Sequence, residues 1–131
     1  MNLQEYNKIQ HHENNHQVAI DFDGVIHGNS KGFYDGTVYD PPIKGSLEAI
    51  KWLKSEGYDI VLFTAKVKPD RPLVKGKTGK ELIWEWLDKH NIKKYIKEIT
   101  CEKPRAICYI DDKGVRFKSW EQTLEEFRKI R

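Results

Sequence analysis

Apolar residues in this chain gather into short runs separated by polar, glycine-containing stretches. Residues 17–22 carry Val18, Ala19 and Ile20, and residues 58–63, 95–100 and 106–110 repeat the pattern. Short apolar runs bounded by turn residues predict buried strands of a parallel sheet. Between them the spacing changes to a helical period. Ser46 is the expected N-cap of a helix through Ser55, with Leu47, Ile50 and Leu53 on one face and Gly57 as its stop. Thr78 and Glu81 form a capping-box pattern, which predicts a helix through about His90 with Leu82, Trp86 and Leu87 inward and Asn91 at its end. Ser119 and Gln122 repeat that pattern, so residues 119–130 form the closing helix, with Trp120, Leu124 and Phe127 on its apolar face. Strands alternating with helices predict an α/β fold, a three-layer sandwich around a mainly parallel, Rossmann-like sheet.

Length and composition narrow the setting. The 131 residues fit one domain, here residues 17–131, and suffice for a core without disulfide or metal staples. Residues 1–16 form a polar arm, in which His11, His12 and His16 are read as surface groups rather than a metal site. The net charge of +3 says little about partners. Cys101 and Cys108 do not suggest a disulfide framework, and with a polar start to the chain they lead to the expectation of a cytoplasmic protein without a signal peptide. No apolar run approaches the ~20 residues of a membrane span. Residues 25–44 are dotted with glycines and contain Phe33, Tyr34, Val38 and Tyr39, a pattern that predicts a small β-hairpin flap. The loop after Thr64 is basic, with Lys66, Lys68, Arg71, Lys75, Lys77 and Lys80 against Asp70.

The chemistry lies at the ends of two strands. The first runs into Asp21-Phe22-Asp23-Gly24 and the fourth into Asp111-Asp112. In open α/β sheets ligands bind at the carboxyl ends of strands. Carboxylates converging there repel one another unless a cation neutralises them, and hard oxygen ligands select Mg²⁺. Asp21 and Asp23, two apart on a strand, point the same way. One can attack an electrophile while the other moves a proton, and phosphorus is the natural electrophile because a carboxylate forms an aspartyl-phosphate. Mg²⁺ relieves the repulsion between a carboxylate and a phosphate dianion. Thr64, at the end of the second predicted strand, offers a hydroxyl to a phosphoryl oxygen, and a lysine is needed to balance charge.

Taken together, these motifs resemble those of haloacid dehalogenase (HAD) superfamily phosphohydrolases. The first motif of that family corresponds to Asp21-Phe22-Asp23-Gly24, the second to Thr64 in Leu62-Phe63-Thr64-Ala65, the third to Lys103 in Glu102-Lys103-Pro104, and the fourth to Asp111-Asp112. The resemblance implies a phosphatase in which Asp21 is the nucleophile and Asp23 the general acid/base. Mg²⁺ would be held by Asp21, the Asp23 backbone carbonyl, Asp111 and Asp112. Gly24, Thr64, Ala65 and Lys66 would line the phosphate. Lys103 fits the family's ordering but precedes Asp111 by a strand's length, so it reaches the site only if residues 101–105 double back; Lys66 is its rival. Residues 25–44 are too few for a folded cap domain, so the chain looks capless: either open to bulky esters such as nucleic-acid ends or phosphoproteins, or covered by a neighbouring subunit in an oligomer, with a nucleotide or nucleic-acid end as the preferred substrate. The alternative is a non-catalytic module that binds Mg²⁺ and a phosphorylated ligand. A response-regulator receiver fits poorly, because Thr64 rather than an aspartate ends the middle strand.

Overall fold

The computed structural model describes residues 16–102, 104, 106, 108–111 and 115–130, with the backbone alone at 111, 115 and 116. His11, His12, Lys103 and Asp112 lie outside the described residues. Five strands form one sheet: β1 (Gln17–Asp21), β2 (Asp59–Phe63), β3 (Ile96–Thr100), β4 (Cys108–Asp111) and β5 (Val115–Arg116), in the order β3-β2-β1-β4-β5. Every pairing is parallel. Three helices accompany them: α1 (Ser46–Ser55), α2 (Gly79–Lys89) and α3 (Trp120–Ile130). The chain is therefore an α/β protein with a Rossmann-like sheet.

Strand alternation sorts the core. Val18, Ile20, Ile60, Leu62, Cys108 and Ile110 join one cluster with Ala49, Ile50 and Leu53 of α1, Ile83, Trp86 and Leu87 of α2, and Trp120 and Phe127 of α3. The intervening residues Ala19, Val61 and Phe63 point the other way and are buried too, so both faces of the sheet are covered. This explains why the strands read as continuous apolar runs instead of alternating ones.

The predicted helices are present, with local corrections. Gly45, not Ser46, is the N-cap of α1, and its left-handed backbone (φ 90°) suits a glycine. Ser46 instead donates its hydroxyl to the Ile43 carbonyl and accepts the Trp120 indole N–H. The Thr78–Glu81 capping box forms in full at α2, where Ile83 is buried and Leu82 only partly. At α3 the Gln122 backbone N–H donates to the Ser119 hydroxyl, 3.3 Å away. The short edge strand β5 carries too few residues to have been visible as a period.

The flap is not a hairpin. Residues 25–44 contain no strand, only isolated bridges from His27 to Asp23 and Pro42. Gly32, Gly36, Asn29 and Tyr34 all have positive φ, which curls the chain away from the extended backbone a ladder needs. Side chains supply the missing hydrogen bonds. The Tyr39 hydroxyl donates to the Gly32 carbonyl at 2.5 Å and accepts the Lys31 N–H at 2.8 Å, while an Asp40 carboxylate oxygen accepts the Ser30 N–H at 2.6 Å.

Candidate active site

The strand order creates the site. From β1 the chain proceeds outward to β2 and β3, then returns to place β4 on the other side of β1. This reversal between β1 and β4 is a topological switch point, where the loops diverge and leave a crevice at the carboxyl ends. Ile20 pairs with Ile110 in that register. Asp21 and Asp111, the next residue of each strand, thus end adjacent strands at the crevice. Main-chain hydrogen bonds continue just past the strands, from Phe22 N–H to Phe63 O at 3.1 Å and from Thr64 N–H to Thr100 O at 2.9 Å. These bonds tie the residues after β1 and β2 to the neighbouring strand ends.

After β1 the backbone makes a tight turn. Gly24 has φ 82° and donates its N–H to His27 O, while Ile26 and His27 donate theirs to Phe22 O. A side chain at position 24 would be strained by this φ even though the space around it is open. The turn brings His27 back beside Asp23.

Asp23 is the hub of the described site. One carboxylate oxygen meets the Lys66 ammonium at 3.0 Å and His27 Nδ1 at 2.9 Å. The other accepts the Thr64 hydroxyl at 3.1 Å. Thr64 ends the second strand run and is the N-cap of the 3-10 turn Ala65–Val67, where its oxygen accepts the Lys66 N–H. That turn swings the Lys66 side chain inward, and it is 5% exposed. A fully buried lysine without a partner would be costly, and Asp23 is the partner.

His27 is fully buried, packed among Phe22, Tyr39 and Trp86. Its Nε2 accepts the Asp40 backbone N–H at 3.0 Å. With Nε2 an acceptor, the ring hydrogen sits on Nδ1 and is donated to Asp23. Burial alone would raise the Asp23 pKa. The hydrogen bonds from His27 and Lys66, the Lys66 charge and the Thr64 hydroxyl outweigh it and hold the carboxyl below its ordinary 3.8. Asp23 is therefore an ionised, fully engaged carboxylate at neutral pH.

Most of the residues expected at the site converge. Asp21, Asp23, Gly24, Thr64 and Lys66 come together, and the Asp111 backbone lies at the neighbouring strand end. Ala65 follows Thr64, and its carbonyl accepts from Arg71 Nε at 3.4 Å. The Thr64 hydroxyl hydrogen is directed at Asp23, so it would have to turn to reach a phosphoryl oxygen. Lys103 and Asp112 fall outside the described residues. The Tyr109 hydroxyl donates to the Pro104 carbonyl at 2.6 Å.

Sequence reasoning missed His27 and Asp40. A histidine within Val25-Ile26-His27 carries no periodic signal, and only the Gly24 turn aims it at Asp23. Among the described residues no three histidine, cysteine or acidic side chains cluster as a metal centre. Carboxylate and carbonyl oxygens are the donor type a hard cation takes, and the Asp23 carboxylate oxygens are already engaged by Lys66, His27 and Thr64.

No family model matches the chain, and no curated protein matches its sequence. A Vibrio cholerae protein solved as an MCSG target is similar in structure, with a TM-score of 0.52 and 25% identity over 88% of this chain and 98% of that one. That similarity extends over nearly the whole of both chains and supports the α/β fold described above.

Proposed function

We propose that the protein is a Mg²⁺-dependent phosphatase that hydrolyses a phosphate monoester through an aspartyl-phosphate on Asp21. The observation that carries this reading is the arrangement around Asp23. A carboxylate at the switch point is held by a buried ammonium, a buried imidazole and a buried hydroxyl, two residues past the strand end that carries Asp21.

In the first step an Asp21 oxygen attacks phosphorus and the bond to the ester oxygen breaks. The leaving alkoxide takes a proton from Asp23. In the second step Asp23 removes a proton from water, whose oxygen attacks phosphorus. The acyl-phosphate bond breaks, inorganic phosphate leaves and Asp21 returns as a carboxylate. Asp23 is ionised before substrate arrives, so its role as the acid in the first step requires one proton to be taken up when the ester binds. Lys66, whose ammonium contacts Asp23, would balance both carboxylate and phosphate charge. Mg²⁺ bound by Asp21, the Asp23 carbonyl and Asp111 would lower the repulsion between nucleophile and phosphate.

Hydrolysis of an aryl phosphate, measured with and without Mg²⁺ for wild type and Asp21→Asn, tests this. The expected result is metal-dependent turnover that falls below detection in the variant. Turnover that survives in Asp21→Asn would sink the nucleophile assignment. Mg²⁺ and phosphate binding without turnover of any ester would favour the binding module.

A further inference from the structure

Beside the carboxylates, the 28–40 loop and the segment after Lys66 face each other across a cleft of about 300 Å³. Phe33, Tyr34, Lys66, Arg71, Pro72 and Val74 line it. Its back is closed where the two segments touch, since a Cβ on Gly36 would lie 2.8 Å from a Val74 methyl. Lys66 is the joint with the site: it lines the cleft while its ammonium contacts Asp23. A group bound through a phosphate at the carboxylates would therefore extend into this cleft.

The walls have a distinct chemistry. Phe33 is 49% exposed and Tyr34 62%, and with Leu73 they make up three of the four large exposed apolar side chains among the described residues. Phe33 and Tyr34 line the cleft itself, so exposed aromatic surface lies next to the charged site. Packing accounts for them only in part: Tyr34 meets Tyr39 edge to face, with ring centroids 5.8 Å apart, yet stays 62% exposed, while Tyr39, His27, Phe22 and Trp86 carry the loop onto the core. Tyr34 also holds a left-handed backbone (φ 51°), which a bulky residue rarely adopts, without being buried in return. Cations accompany both rings: the Arg71 guanidinium lies 5.0 Å from the Phe33 centroid and the Lys31 ammonium 4.7 Å from that of Tyr34. Exposed aromatic faces bordered by cations suit a flat, electron-rich ring attached to an anion.

We propose that this cleft is the leaving-group subsite and takes a nucleoside monophosphate unit, its phosphate toward Lys66 and its base against Phe33 and Tyr34. The assignment rests on the phosphatase reading for the direction of the phosphate, but binding tests it separately from turnover. With Mg²⁺ present, Asp21→Asn protein is titrated calorimetrically with adenosine monophosphate and with ribose phosphate, which lacks the base. Adenosine monophosphate is expected to bind roughly 5- to 100-fold tighter. Adding Phe33→Ala and Tyr34→Ala, both at exposed positions, should erase that difference and leave ribose phosphate unchanged.

Equal affinity for the two probes, no binding of either, or a preference that survives both alanines overturns the assignment. Base-dependent binding in a protein that turns over no phosphate ester would keep the subsite and sink the phosphatase. Turnover of aryl phosphate with no preference for the base would do the reverse. A 5′-phosphorylated oligonucleotide distinguishes the source of the unit: tighter binding than the free nucleotide assigns it to a strand end, and equal or weaker binding to a free nucleotide. Either result upholds the cleft provided the two alanines weaken it.

Discussion

Asp23 owes its ionised state to three neighbours, and that state has a consequence for stability. Its folded-state pKa lies below the ordinary 3.8, so between the two values the unfolded chain binds more protons than the folded one. Its contribution is therefore complete above the ordinary value and is lost as pH falls through the folded-state value. Urea unfolding of Asp23→Asn from pH 7 down to about pH 2 should show a shallower acid-side decline than wild type. An unchanged slope would mean that Asp23 is not held by Lys66, His27 and Thr64 in solution. At this scale the aspartates and Thr64 were readable from sequence, because each follows an apolar run. His27 was not, because its role depends on a turn that one glycine permits and on a hydrogen bond from Asp40, thirteen positions away.

Among the elements, α2 is the one that presses on the site. Its first residue, Gly79, approaches the chain so closely that a Cβ there would sit 2.0 Å from the Lys66 carbonyl oxygen. Exchanging a helical glycine for alanine usually stabilises by up to about 1 kcal/mol. Here the added methyl must displace the backbone that carries Lys66, and overpacking of this kind costs about 1–3 kcal/mol. Gly79→Ala should thus lower stability in thermal or urea unfolding and, if the proposed phosphatase activity is present, reduce its turnover as well. A gain in stability would show that the 3-10 turn yields freely and does not fix Lys66. The helices themselves were legible because a capping box and a 3.6-residue period are local signals. Residues 25–44 resemble a hairpin in their aromatic and glycine pattern, whereas positive-φ residues and the Tyr39 and Asp40 hydrogen bonds hold them as a curled loop.

On the scale of the whole molecule, the strand order decides where a ligand can act. β1 and β4 are far apart in sequence yet adjacent in the sheet, so a ligand at their ends ties the two halves of the chain together. Mg²⁺ with inorganic phosphate should therefore raise the melting temperature; at about 100 times Kd the stabilisation is about 2.7 kcal/mol. The same additions should do much less for Asp111→Asn, whose own melting temperature without ligand serves as the reference. A full ligand-induced rise in that variant would argue that β4 does not share the site.

By itself the sequence determined the four longer strands and three helices, the parallel α/β class and the acidic strand ends, since apolar runs, helical periods and caps are set by neighbours along the chain. Only the tertiary structure decided that β4 lies against β1, that Lys66 and His27 meet on Asp23, and that exposed aromatics and cations face each other across one cleft. Those outcomes depend on strand pairing and on turns that bring distant residues together, and the pairing energy of a sheet is non-local.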